Sequence, residues 1–126
     1  HVDGAAITPL EFTSKILFNE WKLGADEPEL TVMRITLQGK NKDGIRQKVT
    51  YELFDVYDAV TGISSMARTT GYTATATANL FLEGHFQEKG AFPPELIGRH
   101  QHCFHYVLEY LKARNVHYKK KLETVE

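Results

Sequence analysis

Arg68, Thr69, Thr70 and Gly71 stand together in mid-chain, and their types suit one task, the holding of a carboxylate. A guanidinium offers a fork of donors, two hydroxyls add more, and a glycine lets a ligand come close to the backbone. Free N–H groups at a helix start would favour the same anion. Tyr72 follows and would pack under the same turn. A plainer use of these residues also exists: Thr69 or Thr70 would cap a helix, and Arg68 would pair with Asp55 or Asp58. The residues alone leave both readings open.

Other groups with chemical potential read more plainly. His102 and His105 lie three apart on an expected helix, with His100 nearby. They flank an apolar stripe instead of converging with a carboxylate, and the chain has neither Cys-x-x-Cys nor His-Glu-x-x-His, so no metal is expected. Cys103 falls on that stripe, where a free cysteine serves as core. Glu52, Asp55, Asp58 and Glu83 could act as acids, yet nothing pairs two of them at a defined spacing. The Lys119-Lys120-Lys121 run reads as the solvated edge of a strand.

With 126 residues, 42% apolar and 25% charged, the chain fits one globular domain. A formal net charge of −1 gives no electrostatic reason to expect nucleic acid or an anionic membrane as partner. No apolar run approaches the roughly 20 residues that span a bilayer, and His1-Val2-Asp3-Gly4 does not resemble a signal peptide. The first residue is not Met, which suggests a piece of a longer chain. One cysteine rules out an intrachain disulfide and fits a cytoplasmic location.

The elements that must position these residues follow from periodicity. Thr8-Pro9-Leu10-Glu11 reads as a capped helix start, and Leu10, Leu17 and Trp21 recur at helical spacing, predicting a helix from about Pro9 to Leu23 closed by Gly24. Two strands follow, Leu30 to Gln38 and Ile45 to Phe54, joined by a turn at Lys40–Gly44. The apolar phase shifts between Val32 and Met33, which calls for a bulge or for two covered faces. In the second strand Val49, Tyr51 and Leu53 share a face opposite Lys48, Thr50 and Glu52. Asp55–Gly71 reads as irregular. Thr73-Ala74-Thr75-Ala76-Thr77-Ala78 alternates like a strand, yet Leu80–Gly84 looks like a helix ending at a glycine. A short helical start is expected at Phe92–Gly98, a helix from His100 to Arg114 and a last strand between Val116 and Val125.

The string Met66-Ala67-Arg68-Thr69-Thr70-Gly71-Tyr72, followed by a small-residue segment ending Leu80-Phe81-Leu82-Glu83-Gly84, resembles saccharopine dehydrogenases and their relatives, among them lysine 6-dehydrogenases and carboxynorspermidine dehydrogenases. Lys89-Gly90 with Pro93-Pro94, and the closing stretch from Leu108 to Val116, are similar to the same family. Thr73 departs from the proline that many relatives carry there.

The resemblance implies an α+β domain, a mixed or antiparallel open sheet with helices on one face, and it resolves the Thr/Ala segment as helix. It also implies a parent enzyme whose Rossmann domain, outside these residues, holds NAD or NADP. This domain would shape the cleft for an amino-acid or opine-type substrate and pair subunits as a homodimer. Substrate binding would fall to Arg68, Thr69, Thr70, Gly71 and Tyr72. Without a Gly-x-Gly-x-x-Gly fingerprint the chain itself should bind no dinucleotide and show no turnover. The alternative is an interaction module without catalysis.

Overall fold

The computed structural model describes residues 6–24 and 27–125. Strands β1 (Leu30–Lys40) and β2 (Arg46–Val56) form the long hairpin, paired without interruption from Leu30↔Val56 to Lys40↔Arg46. Its turn is closed by Asn41, whose Oδ1 accepts from the N–H groups of Asp43 (3.0 Å) and Ile45 (2.9 Å), while Gly44 supplies a φ of 79°. Strand β3 (Tyr118–Thr124) pairs with the other side of β2, giving an antiparallel sheet of order β1-β2-β3. The expected α+β class with an open sheet is therefore present.

The phase shift in β1 has a different origin from a bulge. Even-numbered residues of the hairpin share one face and odd-numbered residues the other. Leu30 and Val32 pair with Val56 and Phe54 on the even face, whereas Met33, Ile35 and Leu37 lie on the odd face with Leu53, Tyr51 and Val49. Apolar character thus changes face partway along the strand. Leu53, on the odd face, packs on residues of the helical layer and of the β3 lead-in. The even-face quartet stays exposed, with Val32 and Phe54 each 67% accessible.

Helix α1 spans Pro9–Glu20, α2 Ser65–Leu82, α3 Pro94–Gly98 and α4 Gln101–Lys112. The Thr/Ala segment is helical, and its hydroxyls explain how. Thr69, Thr73, Thr75 and Thr77 each donate to the carbonyl four residues back, at 2.9, 2.6, 2.8 and 2.9 Å. A polar side chain that turns onto its own helix no longer competes with it. Fully buried Ala76 sits on α2, which packs against α4. The core forms two clusters: Leu53, Leu111 and Val116, and Leu80, Phe86 and Cys103. Burial of a leucine of this kind contributes roughly 1.5–3 kcal/mol.

Helices α2 and α4 end alike. After α2, Gly84 turns left-handed (φ 76°) and the N–H of His85 reaches back to Leu80 O; after α4, Asn115 does the same (φ 62°), with Val116 N–H on Leu111 O. Asparagine is the residue that best replaces glycine in such a closure.

Three expectations need correction. The segment 55–71 is not irregular throughout: α2 begins at Ser65, because the Ser64 side chain accepts from the Ala67 N–H at 3.1 Å and the Glu29 carboxylate accepts from Met66 N–H at 3.0 Å. The capping box of α1 does not form either. Thr8 uses its backbone carbonyl, not its hydroxyl, to receive Phe12 N–H, and the helix stops at Glu20, short of Leu23 and Gly24. Helix α1 buries no residue, and Trp21 just beyond it is 71% accessible. Among the described residues no helix is long and apolar enough to cross a membrane.

Candidate substrate groove and the Arg68 brace

Arg68 sits in the first turns of α2 with 6% of its surface accessible. Its Nε donates to Asp55 Oδ2 at 3.3 Å and its Nη2 to Asp55 Oδ1 at 3.4 Å, a fork on one carboxylate. Nη1 donates to Asp58 Oδ2 at 3.1 Å. Nη2 also faces the carbonyls of Arg114 (3.3 Å) and Asn115 (3.4 Å). One side chain thereby joins the end of β2, the loop after it, α2 and the turn leaving α4. Asp55 is itself buried, so neither charge is left alone out of water. The pairing foreseen with Asp55 or Asp58 is made with both.

Asp58 folds its own loop. Its Oδ1 accepts from the N–H groups of Val60 (3.0 Å) and Thr61 (3.4 Å). The Thr61 side chain, the Val60 N–H and then Arg68 hold its carboxyl below the ordinary range, although partial burial works against them.

Thr69, Thr70 and Gly71 lie inside α2 and not at its start, so their backbone N–H groups face along the helix. Tyr72 packs on the Leu53–Leu111–Val116 cluster, under the Arg114 guanidinium at 5.9 Å from its ring centre. Arg114 lies closer to Tyr110, at 3.4 Å. Gly71 meets nothing within 4 Å where a Cβ would stand.

Thr69 and Thr70 nonetheless border an open cleft of about 610 Å³, together with Met33, Thr73, Thr77 and Pro94. Thr73, Thr77 and Pro94 also line an adjoining cavity of about 430 Å³, walled by Phe81, Phe92, Ile97 and Phe104. The two make one groove along α2. Its chemistry differs from what the letters suggest: the hydroxyls of Thr69, Thr73 and Thr77 already donate hydrogen bonds to helix carbonyls, leaving methyl groups and lone pairs. They can accept from an ammonium group but cannot donate to a carboxylate. Thr70 is different, for its hydroxyl has only the weak acceptor Met66 Sδ at 3.7 Å.

A cluster at the far end of α2 was not foreseen as a unit. His85, His100 and His102 come within 5.9–6.4 Å of one another in two ring pairs. His102 Nε2 lies 2.9 Å from His85 O, His85 faces Glu83 at 3.3 Å, and Tyr106 donates to Glu83 at 2.8 Å. Among the described residues no group of three such side chains has the geometry to hold a metal. Cys103 is fully buried, and that burial pushes its thiol up, away from the reactive thiolate.

The profile of a family described as Saccharopine dehydrogenase C-terminal domain matches residues 1–116. The chain belongs to that family. Over 108 residues it is 32% identical to the bovine (Bos taurus) protein named alpha-aminoadipic semialdehyde synthase, mitochondrial, a match covering 83% of this chain and 11% of the relative. The rat and mouse (Rattus norvegicus, Mus musculus) proteins of that name are each 29% identical over 106 residues, covering 82% of this chain and 11% of theirs. This saccharopine dehydrogenase-type domain thus corresponds to a small part of those relatives.

Among the described residues, the N-terminus of α2 does not fit a dinucleotide. A pyrophosphate seeks an open helix N-terminus after a strand in a parallel βαβ unit. Here α2 follows an antiparallel strand, and its N-terminus is already occupied by Ser64 and by the Glu29 carboxylate, which would repel an anion.

Proposed function

We propose that the chain is the substrate-side and dimerisation domain of an NAD(P)-dependent oxidoreductase of saccharopine dehydrogenase type, acting on a C–N bond of an amino-acid or opine-type substrate. The nicotinamide cofactor supplies hydride transfer when bound, and a Rossmann domain outside these residues would hold it. The observation that carries the reading is the groove along α2, lined by methyl groups, aromatics and hydroxyl lone pairs. Such a lining suits the aliphatic stem and ammonium group of an amino acid. In this reading Thr69 and Thr70 touch substrate, Thr70 donating a hydrogen bond to a carboxylate. Gly71 leaves the helix open to close approach. Arg68 and Tyr72 are positioning residues that hold the helix carrying the others. The chain alone would turn nothing over, because its residues offer the cofactor no site. The location we propose is cytoplasmic, consistent with a free buried Cys103.

The test is an assay of the native gene product with NAD(P) and amino-acid substrates, followed by its Thr70→Val variant. Turnover is expected only when a Rossmann domain is present, and Thr70→Val should raise KM about tenfold, the equivalent of roughly 1.4 kcal/mol, with kcat little changed. A native product no larger than this chain's 14.3 kDa, or an unchanged KM, would overturn the assignment. The exposed apolar surface of α1 favours one second reading, an interaction module without catalysis, and the same mass measurement separates the two.

A further inference from the structure

Among the described residues the sheet has one edge that is defended and one that is open. Strand β3 carries Lys119, Lys120 and Lys121 in succession, the usual means of keeping an edge from stray pairing. Strand β1 is eleven residues long with no proline and no bulge. Its central charge, Arg34, is neutralised by Glu52 at 2.7 Å, and Met33, Ile35 and Leu37 beside it are exposed on the odd face.

The hydrogen bonding of the hairpin fixes which groups this edge offers. At the two ends of β1, Glu29 O accepts from Tyr57 N–H and Asn41 N–H donates to Ile45 O. Both are odd-numbered, so by the alternation of an antiparallel ladder the odd residues bond to β2. The N–H and C=O groups of Leu30, Val32, Arg34, Thr36 and Gln38 therefore point outward. An antiparallel partner that is a second copy must pair even residues with even residues. Centring the two-fold on Arg34 would set two guanidinium groups opposite each other, and centring it on Thr36 would place Met33 against Gly39. Centring it on Ile35 uses the whole strand, from Leu30 against Lys40 to Lys40 against Leu30. It also sets Met33 against Leu37, Ile35 against Ile35 and Leu37 against Met33 on one face, with each Arg34 opposite a threonine. The apolar triplet is palindromic about that centre.

We propose that two copies of this chain join β1 to β1 in antiparallel fashion about Ile35, making one six-stranded sheet with a continuous apolar patch across the two-fold. The inference rests on the dimerisation role proposed above and supplies its geometry. Ile35 then faces its own copy in a non-hydrogen-bonded pair, where Cα atoms lie about 4.5 Å apart, within reach of a disulfide.

The experiment is sedimentation of the chain and of its Ile35→Lys variant, with mild oxidation of Ile35→Cys and Thr36→Cys. The wild type should sediment at twice the 14.3 kDa chain mass and Ile35→Lys as a monomer with an unchanged circular dichroism spectrum. Ile35→Cys should form a covalent dimer, whereas Thr36→Cys, offset along the ladder from its copy, should not. A dimer that survives Ile35→Lys, or cross-links through Thr36→Cys instead, would overturn the register and leave dimerisation standing. A chain monomeric at every concentration would overturn both. If the Arg34 and Thr36 amides were protected from exchange only in the full-length protein, another segment of that protein would be shown to cover the edge.

Discussion

The molecule has a closed half and an open half, both carrying apolar side chains. In the closed half, β2, α2 and α4 meet around Leu53, Leu111 and Val116 and around Leu80 and Cys103, and Arg68 ties their ends together. In the open half, α1, the residue after it and the outer strand carry Phe18, Trp21, Leu30 and Val32 to solvent. The difference teaches that apolar periodicity reports a face that will be covered, not what covers it. Leu80 has its partners within the chain; Phe18 leaves 71% of its surface accessible.

Four changes would sharpen or break that contrast. Arg68→Ala should have the largest effect, about 3–5 kcal/mol, because it leaves Asp55 buried without a counter-charge and two carbonyls without donors. Urea unfolding monitored by circular dichroism measures it, and a loss under 1 kcal/mol would mean the brace is ornamental. Leu80→Ala should follow at about 2–5 kcal/mol, the usual cost of a cavity at a fully buried leucine. Acid should then weaken the closed half. The carboxyl of Asp58 titrates below its unfolded value, so its stabilisation is complete above that value, near pH 4, and is lost as pH falls through the lower folded value. Asp58→Asn should flatten that part of the stability–pH curve. Smallest of all, Trp21→Ala should change the stability of the monomer by no more than about 0.5 kcal/mol, since the side chain is mostly in solvent. A large loss there would break the comparison.

Much of this architecture was legible in the residues. The hairpin, its Asn41–Gly44 turn and the two faces of β2 follow from period-two patterning and turn chemistry, and α4 follows from the stripe of Cys103, Tyr106, Val107 and Leu111. The start of α2 was also signalled, by Ser64, but the serines and threonines around it looked like loop. Thr-Ala alternation left the segment open between strand and helix for a related reason: propensity treats threonine as a competitor of the helix, whereas here Thr69, Thr73, Thr75 and Thr77 each bond to the carbonyl a turn behind. The site was legible in part. The string from Arg68 to Tyr72 marked the right element, yet spacing could not tell that Arg68 turns inward to Asp55 while Thr70 turns toward the groove. Glu29 at the N-terminus of α2, and His85 beside His102, come from distant segments and left no local trace.

The Arg68 contacts carry a consequence for the order in which the chain assembles. They connect Asp55 to Asn115, residues separated by nearly half of the 126-residue chain. A link across so long a loop repays its entropy only after the intervening helices have docked. The hairpin needs only its own turn to begin, so it belongs early on the folding route and the guanidinium belongs late. Seated last, it acts as a latch: it adds little to the speed of folding and much to the barrier against opening.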